Sequence, residues 1–183
     1  MKLTNCAASA QLANIERLYL EAFPAVERKP FPLMVQKSQE GIIELLAIEE
    51  EDGSFLGLAI TVLHGNDVLL DYFAVCPHLR GKNIGSKALK ALQGRYAGKR
   101  FVLEIEDPAE TAPNQQERIR RESFYLKNGM SAMPYLVSLF GVQMKVLAHG
   151  ASISFEEYHM IYKASFGGQI SSNIKKVKSP ATS

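Results

Sequence analysis

The sequence has few of the residues that cross-link small proteins or bind metals. Only two of its 183 residues are cysteines, Cys6 and Cys76, and they stand far apart and outside any CxxC pattern. Neither a disulfide framework nor a zinc site is therefore predicted, and a reducing compartment is favoured. The four histidines show no HxxxH or paired-carboxylate spacing, so no metal ion is expected.

Long apolar runs and a strong net charge are also missing. The N-terminal MKLTNCAASAQ lacks the apolar run of a signal peptide, and no window approaches the roughly 18 apolar residues of a membrane span. We therefore expect a cytoplasmic protein without a membrane partner. The net charge is +2, with Lys and Arg interspersed among Asp and Glu, so no nucleic-acid partner is predicted. An RNA-associated protein that uses the basic C-terminal segment is a minor alternative.

Length and composition favour one globular domain. Hydrophobic residues make up 46% of the chain and charged residues 22%, which is enough apolar material for a substantial core. We assign residues 1–170 to a single domain. Residues 171–183, which include NIKKVKSPATS, are predicted to form a flexible basic tail.

The first half of the chain shows one long helix and a group of strands. Apolar residues recur at helical spacing from Ala8 to Phe23, and a short helix is predicted near Leu33 to Gln39. The turn sequences EDG and HGN then separate three strand-like runs, which predicts an antiparallel meander. These runs are IIELLAIEE, SFLGLAITVLH and DVLLDYFAV.

The second half alternates helices and strands. A helix begins near Ile84 and closes at Gly98, the strand FVLEIE follows, and NQQERIRRESFYLKNG predicts another helix that ends at Gly129. PYLVSLFGVQMKVL suggests one or two closing strands. The order of elements predicts a mixed α/β sheet with helices on both faces.

Two helix starts carry capping signals. Asn114 is followed three residues later by Glu117, and Ser154 is followed by Glu157. Each pair has the spacing at which the two residues can satisfy each other's backbone amides. The second pair opens a final helix, in which Tyr158, Tyr162 and Phe166 recur at helical spacing; we assign them to the core, with one wall of an acceptor pocket as an alternative.

The segment RGKNIGS lies between a strand and a helix and suggests an anion site. A helix start exposes unpaired N–H groups and a partial positive charge, which attract phosphate. Arg80 and Lys82 add cationic donors, and Gly81 and Gly85 allow close backbone approach. The segment is too short for a Walker A loop and does not match GxGxxG.

With its neighbours, this segment resembles the GNAT N-acetyltransferase superfamily. The pyrophosphate-loop motif of that family is Gln or Arg, two residues, Gly, one residue, and Gly or Ala. The strand DYFAVCP and the helix end SFYLKNGM are similar to flanking elements of the family, and the resemblance covers Asp67 to about Met130. Asn83 departs from the motif, which has glycine there. Asparagine is the commonest non-glycine residue at positive φ, so we expect the loop to keep its function.

The resemblance implies a fold, a reaction and a set of contacts. The fold is GNAT-like, with a central, mostly antiparallel mixed sheet between helices. The cosubstrate is acetyl-CoA, no metal is needed, and an amine acceptor attacks the thioester directly. Backbone groups of the preceding strand would bind pantetheine, and amides of the loop would hold the pyrophosphate. The implied cofactor contacts are Phe73, Ala74, Val75, Arg80, Gly81, Lys82, Asn83, Ile84, Gly85, Ser86, Asn114 and Lys127.

Direct transfer requires an acid and a base. Tyr125 matches the tyrosine acid of the family near the CoA sulfur, although a core-packing role is the alternative. Glu104 and Glu106 alternate onto one face of their strand and are the first two candidates for the base, with Asp71 a third and a water-mediated base a fourth. Cys76 is not needed as a nucleophile and is assigned a structural role.

The acceptor is not specified by the sequence. A polyamine, an amino acid, an aminoglycoside, a protein N-terminus or a lysine would each supply the amine. A non-catalytic acyl-CoA-binding module that regulates a partner is the alternative to an enzyme. A homodimer formed through the late strands is left open.

Overall fold

The computed structural model describes residues 1–6 and 10–177 of the chain. These residues contain eight β-strands and six α-helices. The strands are β1 (Lys2–Asn5), β2 (Ile43–Glu49), β3 (Phe55–His64), β4 (Asp67–Val75), β5 (Arg100–Glu106), β6 (Ser131–Leu139), β7 (Val142–His149) and β8 (Ile174–Val177). The helices are α1 (Leu12–Ala22), α2 (Phe31–Gln39), α3 (Ile84–Arg95), α4 (Gln115–Lys127), α5 (Phe155–Phe166) and α6 (Gly168–Ser171).

The strands form one sheet in the order β1-β2-β3-β4-β5-β7-β6-β8. The pairs β1–β2, β2–β3, β5–β7, β6–β7 and β6–β8 are antiparallel. Together with the flanking helices, this confirms the predicted mixed α/β architecture. By contacts the chain divides into two compact units: unit one is residues 1–63 and 68–97, and unit two is residues 64–67 and the chain from Gly98 onward.

Unit one is built on the buried strands β2 and β3. Most residues of these strands are buried, which fits their runs of Leu, Ile, Ala and Val. Helices α1 and α2 contact β2 and bury their apolar faces, with Ile15 and Met34 fully enclosed. The predicted antiparallel pairing of the first two runs is confirmed, with Ile43 opposite Val62.

A bulge interrupts the β2–β3 ladder near its end. Ile48 pairs with Gly57 and Glu49 pairs with Phe55, so Leu56 is an extra residue in β3. A Cβ atom on Gly57 would lie 2.3 Å from the carbonyl oxygen of Ala74. Because real Cβ atoms do not approach backbone oxygens so closely, glycine at position 57 is what allows β3 to come this near the end of β4.

Unit two contains the hairpin of β6 and β7 and the helices α4 to α6. β5 and β7 pair from Phe101–His149 to Glu106–Met144, and α4 contacts β5. The β6–β7 turn places Phe140 at φ 50° and Gly141 at φ 87°, and the Phe140 side chain is 57% exposed.

The capping box of α5 forms as predicted. The Ser154 hydroxyl accepts a hydrogen bond from the Glu157 amide, and the Glu157 carboxylate accepts one from the Ser154 amide. These bonds, with help from Arg100, hold the pKa of Glu157 down at about 2. Tyr158 and Tyr162 are fully buried, which confirms their assignment to the core, whereas Phe166 is only half-buried.

Two expectations differ from the structure, and one strand was missed. The capping box predicted from Asn114 is not formed: Asn114 is the N-cap of α4, but its side chain makes no capping bond. β1 was not anticipated. Ile174–Val177, which fall within the expected tail 171–183, form β8 and pair with Leu136–Leu139 of β6. Residues 178–183 of that tail, and Ala8 at the predicted start of α1, lie outside the described residues.

Within residues 1–6 and 10–177, no helix has the length and apolar character required to cross a membrane.

Candidate active site

The RGKNIGS loop connects β4 to α3 through two left-handed residues. After β4 ends at Val75, a short 3-10 turn covers Pro77–Leu79, and Gly81 has φ 80°. Asn83 follows at φ 59° and ψ 15°, and α3 begins at the next residue. The predicted positive φ of Asn83 is therefore confirmed, which explains how asparagine can stand where glycine is usual.

The start of α3 is anchored by an apolar cluster below the loop. Ile84 is 9% exposed and packs with Ile48, Leu56 and Ala88, and Phe73, Val75 and Leu79 cover the same cluster. Leu56, the extra residue of the β3 bulge, thus packs directly against the start of α3. A helix start held in this way keeps its first amides in one fixed direction.

The chemistry of this loop fits a pyrophosphate group. The side chain of Asn83 makes no capping hydrogen bond, so it leaves the first amides of α3 to another acceptor. Arg80, Gly81, Lys82 and Asn83 are exposed, and Gly85 and Ser86 are half-buried. A helix N-terminus with two accessible cations is a suitable donor set for an anion of charge −2.

The strand that precedes the loop carries the other expected contacts of unit one. Ala74 is buried, and Phe73 and Val75 are half-buried. Cys76 follows them and is 8% exposed; burial raises the pKa of its thiol. A raised pKa keeps the thiol protonated near neutral pH, which favours the structural role predicted for it.

In unit two, Glu104 and Glu106 occupy alternate positions of β5, opposite Val146 and Met144 of β7. Glu104 is half-buried and accepts a hydrogen bond from the hydroxyl of Tyr162, in α5. The core tyrosine therefore also orients a carboxylate, a role that its helical spacing in the sequence did not indicate.

Glu106 is held by two arginines of α4. Its carboxylate lies 2.6 Å from Arg118 and 3.0 Å from Arg121, and the Asn114 amide donates to it at 3.3 Å. Arg118 also donates to the Asn114 side-chain oxygen at 2.9 Å. This network accounts for the missing capping box, because the polar atoms of Asn114 are engaged with Glu106 and Arg118.

Tyr125 is enclosed in α4. It is 8% exposed, and burial raises the pKa of its phenol to about 12, with Arg121 lowering it slightly. A phenol with this pKa remains protonated throughout the neutral range and retains a proton that it can donate. The neighbouring ring of Phe124 meets it edge-on, with centroids 5.1 Å apart.

Lys127 lines a groove on α4. The groove is shallow and open, with a volume of about 420 Å³, and its lining residues all belong to α4: Ile119, Arg120, Ser123, Phe124 and Lys127. Most of the lining is apolar, with two cationic side chains at its edges. Lys127 thus borders an open surface depression, whereas Asn114 belongs to the Glu106 network.

Asp71, the third candidate base, is paired with Lys29. The Lys29 ammonium lies 2.7 and 2.8 Å from the two carboxylate oxygens, in a partly buried position. This pair could not be predicted from the sequence, because its members are 42 residues apart and in no shared motif. Among the described residues, no group of three His, Cys, Asp or Glu side chains is arranged to hold a metal ion.

Comparison with known proteins assigns a family to this geometry. The family model described as "Acetyltransferase (GNAT) family" matches residues 12–126, well over half of the chain. The chain belongs to the GNAT acetyltransferase family. The predictions of an enzyme, of N-acetyl transfer from acetyl-CoA and of coenzyme A as its carrier are thereby confirmed. No curated protein sequence matches the chain.

Solved structures share this GNAT fold at low sequence identity. A protein named for the GNAT family from Bacteroides thetaiotaomicron is 20% identical, with a TM-score of 0.78, and the match covers 92% of this chain and 99% of that one. Spermidine N-acetyltransferase from Vibrio cholerae, in complex with CoA and spermine, is 13% identical, with a TM-score of 0.63 and coverages of 86% and 96%. An aminoglycoside 6'-N-acetyltransferase bound to coenzyme A is 15% identical, with a TM-score of 0.56 and coverages of 81% and 96%.

Proposed function

We propose that residues 80–86 hold the pyrophosphate of acetyl-CoA and that the acceptor is a primary amine. The observation that carries the loop assignment is the left-handed Asn83 directly before α3, with Arg80 and Lys82 exposed beside it. Amides at the helix start would hold the phosphate oxygens, and the two cations would offset their charge. The backbone of Phe73, Ala74 and Val75 would bind the pantetheine arm.

Acetyl-CoA supplies an acetyl thioester. Side chains of the protein would donate and accept the protons that the transfer requires. Tyr125 would donate a proton to the departing sulfur, since its phenol is protonated at neutral pH. Glu104 would accept the proton that the amine loses. Its hydrogen bond from Tyr162 fixes one carboxylate oxygen and so fixes the orientation of the group.

Glu104 is preferred to Glu106 because of their partners. The guanidinium groups of Arg118 and Arg121 engage both oxygens of Glu106 and restrict its carboxylate, which suits a structural tie between β5 and α4. We assign Glu106 and Asn114 to the stability of α4. Lys127, together with Arg120, is assigned to an anionic part of the cofactor that enters the α4 groove.

The related enzymes support an amine acceptor but do not choose among amines. One acts on spermidine and one on aminoglycosides, and both kinds of molecule carry primary ammonium groups. We place the protein in the cytoplasm because Cys6 and Cys76 are both unpaired, which suits a reducing compartment.

Calorimetric titration of the purified protein with acetyl-CoA tests this assignment. Saturable binding of acetyl-CoA and of CoA, but not of ATP, is expected, followed by transfer in a screen of primary amines. Glu104→Gln should then reduce transfer without changing the affinity for acetyl-CoA, whereas Glu106→Gln should leave the affinity and most of the transfer rate intact. Equal binding of ATP and acetyl-CoA would contradict the loop assignment.

A further inference from the structure

The pair of Lys29 and Asp71 is buried more deeply than surface ion pairs usually are. The side chains are 16% and 4% exposed, and both carboxylate oxygens accept from the same ammonium group. Removing two charges from water is costly, and a buried pair is weak evidence for a contribution to stability. The arrangement therefore calls for an explanation other than simple anchoring.

An aromatic ring completes the surroundings of the ammonium group. The Lys29 nitrogen lies 5.1 Å from the centroid of the Tyr72 ring, within the range of a cation–π contact. Aromatic faces recur in recognition sites for organic cations, and an ionised carboxylate accepts hydrogen bonds from ammonium N–H groups. Asp71 uses both oxygens, so the site suits a cation with at least two N–H donors, such as a primary ammonium.

The backbone of Lys29 is fixed separately from its side chain. The Lys29 amide donates to the Tyr72 hydroxyl at 3.1 Å, and the Tyr19 hydroxyl donates to the Lys29 carbonyl at 3.0 Å. The Tyr72 hydroxyl donates in turn to the Glu27 carbonyl at 2.8 Å. These bonds hold the main chain of Lys29 without using its ammonium group, which is carried on a flexible four-carbon stem.

We propose that Asp71 and Tyr72 form a binding site for a primary ammonium group of the acceptor, and that Lys29 occupies it until the acceptor displaces it. The proposal rests on the proposed function and adds a class of acceptor to it. Unbranched alkylamines resemble the lysine side chain that the site already holds. A tertiary or quaternary amine does not have the two N–H donors that Asp71 accepts.

Lys29 in this role would select among acceptors. The apparent affinity for an amine falls by the fraction of molecules in which the site is available. An acceptor must therefore bind strongly enough to replace a lysine that is tethered beside the site. Weakly interacting amines would be excluded without any steric barrier.

The first test observes Lys29 directly in the wild-type protein. The probe is n-butylammonium chloride, which matches the end of a lysine side chain, and the signal is the ¹⁵N resonance of each lysine ammonium group. We expect the Lys29 resonance to move toward that of an exposed lysine as the probe saturates, with sodium chloride at equal ionic strength as the salt control. The resonance of Lys37, which pairs with Glu40 at 2.8 Å on the exposed side of α2, should not move. A Lys29 resonance that stays unchanged overturns the proposal.

Variants provide the second test. Lys29→Met should bind n-butylammonium about tenfold more tightly than the wild type, because the competing cation is gone. Lys29→Arg keeps a competing cation and should bind like the wild type, and Asp71→Asn should lose the probe. If the wild type and a folded Lys29→Met variant bind n-butylammonium with equal affinity, the Lys29–Asp71 pair has only a structural role. If Lys29→Met does not fold, the wild-type resonances decide.

Failure of this inference and failure of the proposed function are distinguishable. If n-butylammonium displaces Lys29 but acetyl-CoA does not bind, the ammonium site is supported and the assignment of the cofactor loop is refuted. A protein that transfers acetyl groups to amines while Lys29 stays on Asp71 retains its proposed function and refutes the inference.

Discussion

The RGKNIGS loop and the β5–α4 region use their polar residues in opposite ways. In the loop, Arg80 and Lys82 are directed to solvent and Asn83 leaves the amides of α3 uncapped. In β5 and α4, Glu106 and Arg118 contact each other and Asn114. The loop leaves its hydrogen-bond donors available to a ligand, whereas in the β5–α4 region the donors are bonded to groups of the protein itself. Substitutions in the loop should therefore change binding before stability, and those in the network should do the reverse.

The largest effect is expected at Gly85. Gly85→Glu brings a carboxylate to the site proposed for pyrophosphate, and like charges in contact cost several kcal/mol. We expect acetyl-CoA affinity to fall about a thousandfold by calorimetry, with little change in the free energy of unfolding. Gly94→Glu places the same charge at the exposed far end of α3, where a Cβ meets no neighbour, and should bind normally. If Gly85→Glu binds acetyl-CoA with wild-type affinity, the RGKNIGS loop does not bind the pyrophosphate.

The network is tested by Glu106→Leu. This change leaves the Arg118 side chain, which is 10% exposed, without its closest carboxylate. An uncompensated buried charge should reduce the free energy of unfolding by about 3 kcal/mol in urea titrations. Glu110, 3.7 Å from Arg118 and 43% exposed on its side chain, is the control, and Glu110→Gln should change stability by less than about 0.5 kcal/mol. A large loss of acetyl-CoA affinity with unchanged stability would reverse our assignment of Glu106.

Tyr125 belongs to the second region by position and to the reaction by its proposed role. Tyr125→Phe should lower the transfer rate about a hundredfold while acetyl-CoA affinity stays within about twofold. Because burial raises the phenol pKa to about 12, the tyrosine stays protonated below that value, so the ratio of the two rates should be constant between about pH 6 and 10. Tyr135→Phe, which removes a buried hydroxyl bonded to the Ile153 carbonyl, controls for packing. Equal rates in the wild type and in Tyr125→Phe would leave Tyr125 as a core residue.

The smallest effect is expected at Asn83. The residue already has the left-handed conformation that glycine would adopt, so Asn83→Gly should change acetyl-CoA affinity by less than about twofold. Asn83→Val should lower affinity clearly, because a β-branched residue resists positive φ and would shift the start of α3. Wild-type affinity in both variants would show that the loop conformation does not matter for binding.

The features that the sequence predicted correctly depend on neighbouring residues. The positive φ of Asn83 is expected because asparagine stands where the resembled motif has glycine, and the Ser154–Glu157 box is expected from two residues three apart. The same local rule failed at Asn114, because Glu106 and Arg118 compete for its amide. Competition of this kind depends on tertiary contacts and cannot be predicted from the spacing of residues along the sequence.

Contacts between distant segments also escaped prediction. The pair of Lys29 and Asp71 joins residues that no motif connects, and β8 is too short and too basic to stand out from a tail. The choice between Glu104 and Glu106 likewise required their partners, since the strand pattern treats the two residues alike. Sequence reasoning thus located the loop and the candidate acid, and the structure separated the two carboxylates.

The turn between β6 and β7 has a practical consequence for anyone preparing this protein. Phe140 has a left-handed conformation that bulky residues avoid, and the residue is 57% exposed. Asparagine is the preferred residue before glycine in such two-residue hairpins. Replacing Phe140 by asparagine would reduce the backbone strain at this position and remove an exposed apolar side chain. This turn is therefore a suitable first site for engineering a less aggregation-prone protein.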